Sequence, residues 1–376
     1  MSIETTMTRA WQRQAAWLWL LLPVSGLYGF ITMLRWQAYK IGLLSSYRAP
    51  IPVMVIGNIT VGGSGKTPLI IEVVTYLHKQ GIKVGVISRG YGGDSSQMPA
   101  LVHADSLPSI VGDEPSLIVN TTGAAMAVCP NRKQAITTLL NAYPDLQLII
   151  ADDGLQHYAL QRDIEWIVVD ASRGFGNQQL LPTGFLREPM SRLQGANVVY
   201  HEKAEMVATD NNQAQAKRLT MHLQADKLQL LWSSAAEIDG SIVPEEKIPM
   251  LPMPPMPPML NSRVHAVSGI GYPQRFFDTL LSLGFDVIGH AYPDHYDFSL
   301  DELLQYTEQP IIVTSKDAVK IRALLLDAAS HQPLSKEYQE LVSRLWVLPV
   351  TAVLSDSCYG SLQQQLKALD IDINNG

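Results

Sequence analysis

The chain has 376 residues, 47% of them hydrophobic, which is room for two modest domains with sizeable cores. Its net charge of −7 is uneven: the first fifty residues hold five basic groups against Glu4, so the remainder carries −11. An acidic body behind a basic, apolar head argues against a nucleic-acid partner and for an anionic membrane surface. Two cysteines, Cys129 and Cys358, provide neither a disulfide framework nor a metal spacing.

Between Arg13 and Arg35 there is no charge. Residues 15–34 match the roughly 20 residues that a bilayer core requires, with Trp11, Trp17, Trp19 and Trp36 at or near the ends as interfacial anchors. Pro23, Ser25, Gly26 and Gly29 weaken a spanning helix, and no small-residue cleavage site follows that would mark a secretory signal. Residues 1–45 are therefore expected to form an apolar helix that lies in or dips into a membrane, with Arg35, Lys40 and Arg48 at the headgroups. A buried core helix is the alternative.

Residues 51–93 read as strand, glycine-rich loop, helix and strand. Glycines let a loop turn its N–H groups inward around a phosphate where a Cβ would clash. The nucleotide-binding run is Thr60, Val61, Gly62, Gly63, Ser64, Gly65, Lys66 and Thr67. Lys66 supplies a point charge for the phosphates, Thr67 a hydroxyl for Mg2+, and the following helix its N-terminal N–H groups. Thr60 stands where the full G-x-x-x-x-G-K-[ST] pattern has glycine, so the loop is a GGSGKT variant.

Alternation continues beyond it. A strand at 84–88 leads into the turn Arg89-Gly-Tyr-Gly-Gly93, Gly112-Asp113-Glu114-Pro115 opens a short helix, and a strand at 125–128 precedes a helix headed by Arg132. The buried strand 146–151 ends in Asp152-Asp153-Gly154, and a strand at 166–170 leads into a long loop, 172–195, that carries Arg187 and Glu188. This pattern predicts an α/β fold: a P-loop NTPase-like, mostly parallel sheet flanked by helices over residues 46–225. The phosphate loop, Asp113 and Asp152 fall at strand ends, where ligands of such sheets bind. Asp152, closing a buried apolar strand, is placed as nucleotide enzymes place a Mg2+ acid, and Asp153 could join the metal shell or the substrate. Residues 204–227 read as exposed or linking structure. Residues 226–376 are expected to form a smaller α/β domain, with a Met/Pro-rich insertion near 248–260, a polar loop Pro293-Asp294-His295-Tyr296-Asp297, and one late strand, LWVLPV.

GGSGKTP, SRGYGG, GDEP, DDGLQH, LPTGFLREP, GIGYP, PDHYDF and TSKDAVK occur in an order that resembles the tetraacyldisaccharide 4'-kinase family of the Gram-negative lipid A pathway. The resemblance implies ATP- and Mg2+-dependent phosphorylation of the 4'-hydroxyl of tetraacyldisaccharide 1-phosphate, an acylated glucosamine disaccharide lipid. It places the reaction at the cytoplasmic face of the bacterial inner membrane, without an obligate protein partner. It implies a catalytic pair of Asp113 and His295, charge neutralisation by Lys66 with Arg132 or Arg187, and Thr67, Glu114, Asp152 and Asp153 toward the metal. Tyr91, His157, Glu188 and Asp294 are further site candidates. Ser315 departs from the glutamate usual in TSKDAVK, and Tyr272 from the asparagine common in GIGYP. Two plainer roles compete at the pair: Asp113 as a helix cap, and His295 as a surface-loop histidine. For the whole chain, the competitor is a membrane-associated ATPase switch that acts through protein partners.

Overall fold

A computed structural model describes residues 3–202, 218–232, 256–331 and 334–372. Residues 204–217 of the expected linker and most of the Met/Pro-rich stretch lie outside these. Fourteen strands form two sheets among the described residues. They are β1 (Val53–Gly57), β2 (Val84–Ser88), β3 (Ala100–Val102), β4 (Ala125–Val128), β5 (Leu148–Asp152), β6 (Ile164–Asp170), β7 (Asn197–His201), β8 (Leu219–Ala225), β9 (Gln229–Leu230), β10 (Arg263–Ser268), β11 (Asp286–Ala291), β12 (Ile311–Thr314), β13 (Leu345–Leu348) and β14 (Val350–Leu354).

The large sheet runs β14-β8-β7-β6-β1-β5-β2-β4-β3, parallel except for its two edge strands. β1, β2 and β5 are buried throughout, because helices cover both faces of a parallel sheet and leave no solvent side to be polar. One cover is the helix Lys66–Lys79, whose Leu69, Ile70, Val73, Val74 and Leu77 recur at helical spacing on its buried side. The small sheet runs β11-β10-β12-β13-β9, with only β9 antiparallel.

The late strand divides at Pro349. β13 belongs to the small sheet, whereas β14 pairs antiparallel with β8 at the edge of the large one. Proline cannot donate to a ladder, so it marks the crossing, and its carbonyl accepts the Asp226 N–H at 3.0 Å from the neighbouring crossover. The following helix, Asp356–Lys367, buries Cys358, Leu362 and Leu366 in the large core. Residues 350–371 therefore pack with the large sheet and not within the expected 226–376 unit. β8, read from sequence as linking structure, is a regular strand because β14 covers its outer edge.

The N-terminal segment is not one helix. Ile3–Gln12 is followed by a 3-10 helix, Ala16–Leu21, and a helix, Leu22–Lys40, with Pro23 in its first turn. The stretch Ala16–Lys40 is long and apolar enough to cross a membrane. Leu20 is 80% exposed, and Leu27, Phe30, Ile31, Met33 and Leu34 all face outward, so it is not a core helix. Only a narrow stripe docks. The Ser25 hydroxyl donates to Leu180 O at 3.0 Å and accepts the Thr183 N–H at 2.9 Å. Tyr28 donates to Arg187 O at 3.0 Å, and Trp11 Nε1 to Pro182 O at 2.9 Å.

Candidate active site

The carboxyl ends of β1, β2 and β5 and those of β10, β11 and β12 converge on one cleft. The loops that follow them carry the chemistry. A Cβ on Gly271 of GIGYP would lie 3.0 Å from Gly63 N, so the small sheet's first loop touches the phosphate loop. The phosphate loop is also stitched to the LPTGFLREP loop: Val61 N–H donates to Phe185 O at 2.8 Å, Arg187 N–H to Ile59 O at 2.7 Å, and Thr60 bridges Leu186. Behind it, His201 Nδ1 lies 3.2 Å from Ser64 O, and Arg275 from the small domain reaches across to pair with Asp170.

Lys66 and Thr67 form the first turn of the helix Lys66–Lys79. The Lys66 ammonium donates to Asn58 Oδ1 at 3.2 Å and lies 3.4 Å from Asp153 Oδ1. Arg187 Nη1 holds the other Asp153 oxygen at 2.9 Å. Burial opposes ionisation of Asp153, but the Lys66 and Arg187 cations outweigh it and hold the carboxyl at about 2. Asp152 differs. Burial, then the Glu114 and Asp153 charges, pushes it up to about 7, and its Oδ1 is buried without a hydrogen-bond partner while Oδ2 accepts from Ser88 at 3.1 Å.

Asp113 is the first residue of the helix Asp113–Thr122, not the residue before it, so the cap position belongs to Gly112. Gly112 has φ 97°, and a Cβ there would stand 2.6 Å from Tyr91 O, which ties GDEP to SRGYGG. The His295 Nδ1 lies 3.1 and 3.0 Å from the two Asp113 oxygens, across the cleft and 182 positions along the chain. His295 is half-buried, edge-on to Tyr91 at 4.7 Å, and sits at φ 58°. Asp153, at φ 46°, shares that left-handed backbone, which costs a non-glycine residue about 1–3 kcal/mol and concentrates at functional sites. Burial opposes ionisation of Asp113 too, but His295, Lys316 and Lys320 lower its pKa overall, so it stays a carboxylate.

Other sequence candidates take supporting positions. Arg132 is buried behind the acids, where its Nη groups donate to Cys129 O and Asp152 O at 3.1 Å and brace the strand end. Glu188 is buried between Gln156 at 2.7 Å and Arg192 at 3.1 Å and orients its loop. His157 is kept neutral, down to about 4, by burial and the surrounding Arg132, Arg162, Arg35 and Arg89. Asp294 Oδ1 binds Lys316 at 3.1 Å. Sequence reasoning did not single out Lys316, Lys320, Asn58, Ser88, Gln156, His201 or Arg275. TSKDAVK and DDGLQH were the available signals for Lys316, Lys320 and Gln156.

Among the described residues, no three His, Cys, Asp or Glu side chains form a ready-made metal cage. A magnesium site does not need one, since this ion is usually held by one or two carboxylates with water and phosphate oxygens completing the shell. The unpartnered Asp152 oxygen, close enough to Glu114 and Asp153 to feel both charges, fits that kind of site.

The profile of the tetraacyldisaccharide-1-P 4'-kinase family matches residues 17–367. The tetraacyldisaccharide 4'-kinase of Psychrobacter cryohalolentis is 72% identical over 382 residues, covering 100% of this chain and 99% of its own. That of Tolumonas auensis is 40% identical over 359 residues, covering 95% and 96%. In fold, the chain is similar to the crystal structure of LpxK from Aquifex aeolicus in complex with ATP, with a TM-score of 0.66 and 22% identity over 94% of this chain and 99% of that one.

Proposed function

The chain belongs to the tetraacyldisaccharide-1-P 4'-kinase family, and from that membership we propose that it transfers the γ-phosphate of ATP to the 4'-hydroxyl of an acylated glucosamine disaccharide 1-phosphate. The observation that carries the assignment of roles is the Asp113–His295 pair, closed across the cleft at 3.0 Å beside the phosphate loop. A nucleotide switch that works through protein partners finds no support among these relatives.

Phosphoryl transfer asks a protein mainly to position reactants and to neutralise charge. The phosphate loop and the N-terminus of the helix Lys66–Lys79 hold the nucleotide phosphates, with Lys66 and Arg187 as the cations that flank Asp153. Asp113 takes the proton of the sugar hydroxyl, and His295 fixes the carboxylate's orientation. Asp152, with the Thr67 hydroxyl, would hold Mg2+, which supplies charge neutralisation between phosphates when bound. The acceptor's own phosphate suits the cationic surroundings of His157, where Arg35 and Arg89 are exposed. The outward apolar face of residues 16–40 lies in the cytoplasmic leaflet of the inner membrane, so acyl chains stay in lipid while the sugars reach the cleft.

The test is transfer of labelled γ-phosphate to the acylated disaccharide 1-phosphate by the full chain and by Asp113→Asn. Loss of a general base predicts a fall of about 10²–10⁴-fold with an unchanged thermal melt. Near-normal transfer by the folded variant removes Asp113 from the role.

A further inference from the structure

We propose that Lys316 is a positioning residue for this transfer: its ammonium joins the two domains and holds the His295 imidazole with Nδ1–H toward Asp113. The inference rests on the assignment of Asp113 as base and adds the element that sets its partner.

Lys316 lies in the first turn of the helix Ser315–His331, directly after β12, with its side chain only 14% exposed. An ammonium has three donors and no acceptor. Here three acceptors surround it: Glu114 Oε1 at 3.0 Å, Asp294 Oδ1 at 3.1 Å and His295 Nε2 at 3.2 Å. Glu114 comes from the large domain, the other two from the small one, so one side chain spans the cleft. Because the ammonium only donates, the imidazole nitrogen facing it must be the one with the lone pair. The proton of neutral His295 is then on Nδ1, pointing between the two Asp113 oxygens at 3.0 and 3.1 Å. Without Lys316, Nε2 would lose its donor and be left facing the Asp294 carboxylate, whose Oδ1 lies 3.9 Å away. The ring would have no group fixing which nitrogen meets Asp113.

A compact, three-donor cation suits this geometry better than a planar fork does. Lys320, the other nearby lysine, cannot substitute, because its ammonium donates to Tyr296 O at 2.7 Å and lies 3.8 Å from Asp113.

The experiment compares full-length wild type, Lys316→Met, His295→Ala and the double variant in steady-state transfer to the acylated disaccharide 1-phosphate. Thermal melts run alongside. Lys316→Met should lower kcat about 10²-fold, the scale of a misplaced catalytic group, with KM for ATP within about twofold. The double variant should fall within about threefold of the worse single one, as residues acting through one another do. If Lys316→Met does not fold, Lys316→Gln carries the same expectation. Multiplicative losses in the pair, or an effect confined to KM for ATP, overturn the proposal. Asp113→Asn separates the two readings: an inactive Asp113→Asn together with multiplicative Lys316 and His295 losses leaves the base assigned and removes only Lys316. An active Asp113→Asn removes the base itself.

Discussion

As the proposed base for a sugar hydroxyl, Asp113 must stay ionised, and it does so because His295 and two lysines stand around its buried carboxylate. Pairing has a kinetic signature. His295→Ala and Asp113→Ala should each disable the same unit, so the double variant should transfer phosphate no more than about threefold more slowly than the worse single one. Steady-state rates on folded protein check this, and multiplicative losses would separate the two residues. Nothing in the local sequence joins them, and only the family resemblance put both in one site. Lys316 lies within the TSKDAVK motif, yet its proposed role depends on three partners from distant segments and could not be read along the chain. Arg132 shows the reverse. An arginine at a helix start reads as a cation free for phosphates, whereas both its Nη groups donate to backbone carbonyls and only Nε is without a partner.

Among the elements, the phosphate loop was the most legible, since strand, glycines, Lys-Thr and helix are contiguous. The charge-free N-terminal run was also plain. Less legible was the use of Ser25 and Gly29, read as weaknesses of a spanning helix, whereas they make room for the LPTGFLREP loop. A Cβ at Gly29 would meet Leu180 Cδ1 at 2.8 Å. Gly29→Val should therefore lower stability by about 1–3 kcal/mol through overpacking, while vesicle co-sedimentation stays at the wild-type level because the outward face is untouched. Vesicle binding lost together with stability would mean that docking and lipid contact cannot be separated. The elements beneath the loop carry a pH dependence. Burial, followed by the charge of Arg275 at His201 and of Arg132 at His157, depresses both histidines to about 4. A depressed histidine binds fewer protons folded than unfolded, so its contribution is present above about 6.5 and is lost as pH falls toward 4. Melting temperature should decline across that window. His201→Gln should shallow the decline, and an unchanged slope would show that His201 does not contribute.

For the whole molecule, two sheets present their strand ends to one cleft, and contact at Gly271 limits how closely they approach. Gly271→Val would press on Gly63 N and Asp294 Oδ2, each 3.0 Å from the added Cβ. It should hold the cleft ajar, lowering kcat about 10²-fold with a near-normal melt, since the site lies outside both cores. Wild-type kcat in this variant would mean that the closed arrangement is not required. The two-sheet plan was legible from the second block of alternating elements, but its boundary was not. Strand patterns do not say which sheet a strand joins, and Pro349 divides what reads as one run. That division bears on how the chain is made. A ribosome delivers β1 to β8 first, but the edge strand that covers β8 and the helix that seals its flank are encoded after the whole small domain. The first domain to emerge is thus the last to be completed, its exposed edge waiting through the synthesis of roughly a third of the protein. In this interval a nascent chain is most open to strand-to-strand aggregation.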